Sequence, residues 1–255
     1  GLVGSEMCIR DRYSVDHGNN RINHGRKRLH NHYTMNSNID NLIVPHIDNL
    51  GEMSTDGIIN ALEDNGVRRT IDYIDYKEFP YHPLTTFSMA YSKDMLYIDF
   101  FVRCNYLRAI NDRPNTPVHE DSCVAAYLQP DSENNRYYAF EINCIGAISG
   151  MVCKGEGDGA CSFLDESTID RIKCYASCGN RPFRELEGLF TWNVLIAIPL
   201  DMLGLKYDGS PLSIKGNFYK CASGTSQPHF LSWMPLDETK RTFHQPKSFG
   251  NIILS

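Results

Sequence analysis

Short segments that alternate apolar and polar residues recur along most of this chain, and Gly, Pro, Asn and Asp separate them. That pattern commits a chain to strands, because a period of two puts every second side chain on the same sheet face. Val67 to Tyr76 alternates. Thr86 to Tyr91 and Met95 to Val102 flank the turn residues Ser92, Lys93 and Asp94. Cys123 to Gln129 and Tyr137 to Ile145 flank Pro130-Asp131-Ser132, and Ala147 to Val152 follows Gly146. Thr191 to Pro199 is apolar and β-branched; Leu212 to Cys221 and Ile252 to Leu254 complete the series. Helix is scarce. Ser54 to Asp64 has apolar residues at 58, 59 and 62 behind a capping Ser or Thr, and Asp165 to Cys174 reads as a short helix or an edge segment. Many short strands with little helix predict an all-β fold: an antiparallel β-sandwich, immunoglobulin- or jelly-roll-like, with one or two short helices.

Charge and composition narrow the partners. The 255 residues carry 25 basic and 31 acidic groups. A net charge of −6 argues against nucleic acid, which needs a basic face to displace phosphate counterions. No run of about 18 apolar residues occurs, so no membrane-spanning helix is expected. The expected state is a soluble monomer. Residues 1–12 (GLVGSEMCIRDR) resemble a translated sequencing-adapter remnant, and the stretch up to Thr34 is rich in Asn, His and Arg without apolar periodicity. Residues 1–34 therefore read as a disordered or artefactual leader, with one domain at 35–255 and Met35 as the expected start. No export signal is visible, so the expected location is cytoplasmic. Cys104, Cys123, Cys144 and Cys221 sit inside strand patterns as small apolar residues; Cys153, Cys161, Cys174 and Cys178 lack the C-x2-C spacing of a zinc site. All are expected as free thiols.

Several polar residues are placed where chemistry is possible. Alternation in Phe140-Glu141-Ile142-Asn143 puts Glu141 and Asn143 on the face opposite Phe140 and Ile142; the same logic pairs Asn217 with Tyr219. Planar amides and carboxylates on one face suit neighbouring hydroxyl groups. Lys220 is a further candidate, as a cross-strand partner for Glu141. Glu120 and Asp121 enter a strand together. Asp121 and Ser122 read first as capping groups, and Glu120, Asp121 and Glu141 also admit a glycosidase acid/base pair. No phosphate loop, nucleophile elbow or H-E-x-x-H motif supports an enzyme.

Four stretches carry a resemblance: VHEDSCVAAY at 118–127, YYAFEINC at 137–144, NFYKC at 217–221, and SQPHFLSW followed by FHQPKSFG between 226 and 250. Together they resemble carbohydrate-binding module family 9, in its single-domain branch, over roughly Ile43 to Leu254. The resemblance implies non-catalytic sugar recognition linked to polysaccharide breakdown. It puts His119 and Phe243 at the two positions of an aromatic clamp, the first being usually Trp, and Ala125 where the family commonly has Glu. Glu120, Glu141, Asn143, Asn217, Tyr219 and Trp233 are the further candidate carbohydrate contacts, though Trp233 reads more readily as core. Family 9 modules also bind structural calcium; Asp131, Glu156 and Asp158, in acidic turns, are the candidate ligands. Two other readings stand beside this one. Related sandwiches hold haem, with His119, His229, His244 and Met234 as the candidate ligands here. A structural or interaction sandwich with a decayed sugar site is the third.

Overall fold

The computed structural model describes residues 41–157 and 161–255, so the leader and Asp158 lie outside the described residues. In chain order the strands are β1 (Leu42–Val44), β2 (Val67–Thr70), β3 (Tyr73–Ile74), β4 (Leu84–Tyr91), β5 (Met95–Ala109), β6 (Cys123–Gln129) and β7 (Arg136–Asn143). They continue with β8 (Ile148–Lys154), β9 (Cys161–Phe163), β10 (Lys173–Ala176), β11 (Phe183–Pro199), β12 (Leu212–Cys221), β13 (Phe230–Ser232) and β14 (Gly250–Leu254). Two α-helices accompany them: α1 (Thr55–Asn65) and α2 (Glu166–Ile169). Among the described residues, the first sheet has nine strands in the order β1-β14-β12-β6-β7-β8-β9, with β13 on β12 and β3 on β13. The second runs β10-β11-β5-β4-β2. Apart from the parallel pair β1–β14, neighbours are antiparallel.

Period-two alternation builds the core between the sheets. Phe140, Ile142 and Phe218 leave the first sheet inward and meet Phe87, Phe100 and Trp192 of the second. Phe87 stacks on Phe218 with centroids 4.1 Å apart. Each such fully buried side chain stabilises the fold by about 1.5–3 kcal/mol. The far face of the second sheet is covered by α1, whose N-cap Ser54 hydroxyl accepts from Gly57 N at 3.2 Å and whose Leu62 packs beside Tyr97 and Leu195.

The outer face of the first sheet has an aromatic layer of its own. Tyr127, Tyr137 and Tyr219 point outward with Ala125, Ala139 and Cys153, and Phe249, Phe243 and Leu236 of the long return into β14 lie over them. The return is pinned at its start. Asn217 accepts from Met234 N at 2.9 Å and donates to Met234 O at 3.0 Å. A Cβ at Gly250 would lie 2.8 Å from the Trp233 ring, so only glycine lets β14 pass this close. Among the described residues no helix is long and apolar enough to cross a membrane.

Four expectations change. Val67 to Tyr76 is not one strand: it breaks after Thr70, and β2 joins the second sheet while β3 joins the first. β5 runs on past Val102 to Ala109, and β11 begins at Phe183 to pair with it. The stretch 165–174 resolves into α2, capped by the Asp165 side chain accepting from Thr168 N at 2.8 Å, and the start of β10. Finally, Cys153 and Cys161 are joined as a disulfide instead of remaining free thiols. Sequence spacing hides this pair because the chain turns back, and β9 lands with Cys161 directly opposite Cys153.

Candidate functional site

His119 sits in a 3-10 turn, Val118–Glu120, where the chain enters β6. The imidazole is half exposed and the carboxylate beneath it is nearly covered: side-chain exposures are 51% for His119 and 10% for Glu141. Nδ1 of His119 lies 3.5 Å from Glu141 Oε2. The hydrogen bond and charge of Glu141 push the His119 pKa up to about 9 against the opposing effect of burial, so the ring is an imidazolium at neutral pH. The other oxygen of Glu141 is fixed from behind, because the Tyr127 hydroxyl donates to Oε1 at 2.8 Å. Burial and the Glu141 charge push the Tyr127 hydroxyl well above its usual range, so it stays a donor.

Phe243 is the second feature of this surface. Its ring stacks on Tyr219 at 4.3 Å and 16°, and the Tyr219 hydroxyl donates to the Phe243 carbonyl at 3.1 Å. It also packs against the cluster of Val118, Cys123 and Cys221, which carries the His119 turn. The half-buried phenyl and the exposed imidazole therefore share one patch of the outer face, each braced by a buried residue.

The remaining sequence candidates divide by what they already bond. Asn143 is buried; its amide donates to Asn111 O at 2.6 Å and Asp121 Oδ2 at 3.0 Å, and its oxygen accepts from Ala147 N at 3.0 Å. Asp121 is equally occupied, accepting from Ile110 N and Asn111 N and pairing with Arg108 at 3.1 Å. Asn217 is consumed in pinning the return. Tyr219 is fully buried and acts through Phe243. Glu120 keeps its carboxylate near Arg108 at 3.7 Å, 45% exposed at the rim. Trp233 faces the core, 5.6 Å from Phe218 and 5.9 Å from Phe87. Lys220 does not pair with Glu141. It lies on the opposite face, buried, with Nζ 2.8 Å from His229 Nε2 and 2.9 Å from Cys221 O.

The histidines offered for haem, and the acidic residues offered for calcium among the described residues, each have bonds of their own. His119 faces Glu141 and His229 faces Lys220, while His244 Nδ1 lies 2.9 Å from the Tyr137 hydroxyl; the three histidines do not converge. Asp131 accepts from Glu133 N at 2.9 Å within its own turn. Glu156 is held by Lys240 at 2.8 Å and Lys247 at 3.1 Å, whose ammonium groups keep its carboxyl below the usual range. Two lysines on one carboxylate make an ion-pair network, and Glu156 so held does not fit an oxygen cage for calcium. Sequence reasoning missed Tyr127 and offered His244 only as a haem ligand. The outward alternation of β6 marks Tyr127; nothing near His244, in a loop, points to the Tyr127 and Tyr137 hydroxyls it meets.

The family model for carbohydrate-binding family 9 matches residues 58–254. The chain belongs to this family. Among solved structures, a candidate carbohydrate-binding protein from Bacteroides uniformis is similar at 27% identity and a TM-score of 0.76, over 84% of this chain and 98% of that one. A family 9 module from Caldicellulosiruptor kristjanssonii, solved with cellotriose, shares 14% identity and a TM-score of 0.52 over 83% of this chain and 92% of that one. At that identity the second likeness is one of fold alone. No curated protein matches the chain. Family 9 membership agrees with the sandwich architecture and covers both His119 and Phe243.

Proposed function

We propose that this chain holds a sugar, without transforming it, on the outer face of the first sheet between His119 and Phe243. The observation that carries the reading is the exposed imidazolium over a fixed carboxylate, beside a ring braced by Tyr219. A pyranose presents C–H groups on its face and paired hydroxyls at its edge. The phenyl face takes the first, and the His119–Glu141 pair offers a donor and an acceptor for the second. Phenyl and imidazole present less apolar area than indole. Binding is therefore weak, in the millimolar range, because a small shallow contact leaves little surplus over the cost of ordering the ligand. The Caldicellulosiruptor relative was solved with cellotriose, so a β-glucan end is the ligand class to try first. Of the three carboxylates offered by the sequence for a catalytic pair, Asp121 is buried in loop-holding bonds, Glu120 stays at the rim beside Arg108, and Glu141, bonded on both oxygens, is the one assigned to the sugar.

Calorimetric titration with cellotriose and glucose tests this. His119→Ala and Phe243→Ala should each remove detectable binding while leaving the thermal transition cooperative. Glu141→Gln should weaken binding less, since it keeps an acceptor. Unchanged affinity in both the His119 and Phe243 variants would place the sugar elsewhere.

A further inference from the structure

Behind the proposed sugar patch lies a second cluster that sugar binding does not use. Cys153 on β8 and Cys161 on β9 are directly opposed residues of neighbouring antiparallel strands, joined as a disulfide with Cα atoms 4.0 Å apart. His244 Nδ1 lies 3.7 Å from the Cys153 sulfur and 3.5 Å from the Cys161 sulfur. The three ligand atoms fall within 4.8 Å of one another. We infer that, once the disulfide is reduced, Cys153, Cys161 and His244 form a binding site for one zinc-like divalent cation.

The bonds around the histidine suit the form a metal needs. The single hydroxyl proton of Tyr127 is donated to Glu141. His244 Nε2, 3.5 Å from the same hydroxyl oxygen, is then the donor between the two. Nδ1 lies towards the sulfurs, 2.9 Å from the Tyr137 hydroxyl, and in the neutral ring its lone pair is the ligand. A neutral imidazole with its far N–H anchored on an oxygen is the usual arrangement of a metal-binding histidine. Two thiolates and an imidazole select a borderline-soft cation such as zinc over calcium or magnesium. Tetrahedral ligation at a Zn–S distance of about 2.3 Å asks for sulfurs roughly 3.7 Å apart, which rotation about the two Cα–Cβ bonds supplies. The carriers are firm. β8 and β9 are paired, and Gln245, next to His244, donates to Thr242 O at 2.8 Å and accepts from Asp237 N at 3.0 Å. Water fills the fourth position, and the Tyr137 hydroxyl, released from Nδ1, is placed to bond it.

The redox step balances with a dithiol as reductant. The Cys153–Cys161 bond takes two electrons and two protons from the dithiol, which closes to its own disulfide. The two protein thiols then release their protons to solvent as the cation binds. The disulfide and the metal are alternative occupants of one place.

Cobalt(II) is the probe. The full chain is reduced with a phosphine, which does not compete as a thiolate ligand, and titrated with Co2+. Reduced protein should show thiolate-to-cobalt charge transfer and tetrahedral d–d bands saturating at one equivalent and displaced by Zn2+; the oxidised protein should show none. Cys161→Ser should lose the bands. A reduced protein without them, or a Cys161→Ser protein that keeps them in full, overturns the inference. A measurement on the wild-type chain guards against a variant that fails to fold. In reduced protein Zn2+ should slow alkylation of Cys161, read by mass spectrometry, and leave exposed Cys174 unaffected. Equal alkylation of Cys161 with and without Zn2+ overturns the assignment. Neither readout involves sugar, so each result stands apart from the fate of the sugar proposal.

Discussion

At His119 the hydrogen-bonding behaviour is decided by the carboxylate behind it. With Nδ1–H committed to Glu141, the outward Nε2 carries a proton only while the ring is an imidazolium; the neutral ring would keep Nδ1–H and turn a lone pair outward. Glu141 holds the His119 pKa at about 9, so affinity for cellotriose should be flat from pH 6 to 8 and fall as pH rises through about 9. Glu141→Gln removes the chief cause of the shift, and the fall should then move down towards the ordinary histidine range near 6.5. Titrations across pH 5–10 check both curves; an identical midpoint in the two proteins would show that His119 does not govern binding. The legibility of this site is uneven for a physical reason. Alternation is local, so the sequence shows that Glu141 points away from the core. What a side chain bonds is not local. Asn143 shares the face of Glu141 yet is spent on Asn111 and Asp121, 32 and 22 residues back, and nothing near Asn143 announces it.

At the scale of elements, Trp233 separates core from clamp. It follows β13 as the first residue of the return, and its ring packs between Phe87, Phe218 and the bare backbone of Gly250. Trp233→Ala should therefore cost about 3–5 kcal/mol of stability. Measured on the folded fraction, cellotriose affinity should stay within a few-fold of wild type. Denaturant unfolding beside calorimetry decides the matter: full stability with lost binding would make Trp233 a platform. β6 and β12 are readable to the residue because β6 is an apolar run closed by Pro130 and β12 opens with Leu212 and Ile214 alternating with Ser213 and Lys215. β5 past Val102 is harder. There Arg103 and Asn105 are exposed while Cys104 and Leu107 are buried, and the charged residues mask a strand that β11 supports by hydrogen bonds. β9 and β13, three residues each, are too short to carry a period. They exist because a longer neighbour templates them.

Across the whole molecule, several buried ionisable groups make stability depend on pH, and their windows separate them. Asp99 is tucked under α1 on the outer face of the second sheet, 5% exposed, with one bond from Asn193 at 3.1 Å. Burial raises its pKa from 3.8 to about 7, against the pull of that bond. Between those values the folded protein keeps a proton that the unfolded chain gives up. Stability from this group is thus present at low pH and lost as pH rises from about 4 to about 7. Asp75 is likewise raised to about 7 by burial and acts in the same direction. His229 opposes them. Burial beside Lys220 drives its pKa well below 6.5, so its contribution is lost as pH falls below that value. His119 adds stability below pH 6.5 that fades as pH rises through about 9. The total curve mixes these terms, and the informative quantity is a difference. Asp99→Asn keeps an acceptor for Asn193 and removes the titration. Relative to wild type it should gain stability as pH rises from 4 to 8, by at most about 4 kcal/mol. Urea unfolding of both proteins at pH 4, 6 and 8 gives that difference directly; a gap that stays constant over the range would show that Asp99 ionises as freely in the folded protein as in the unfolded chain.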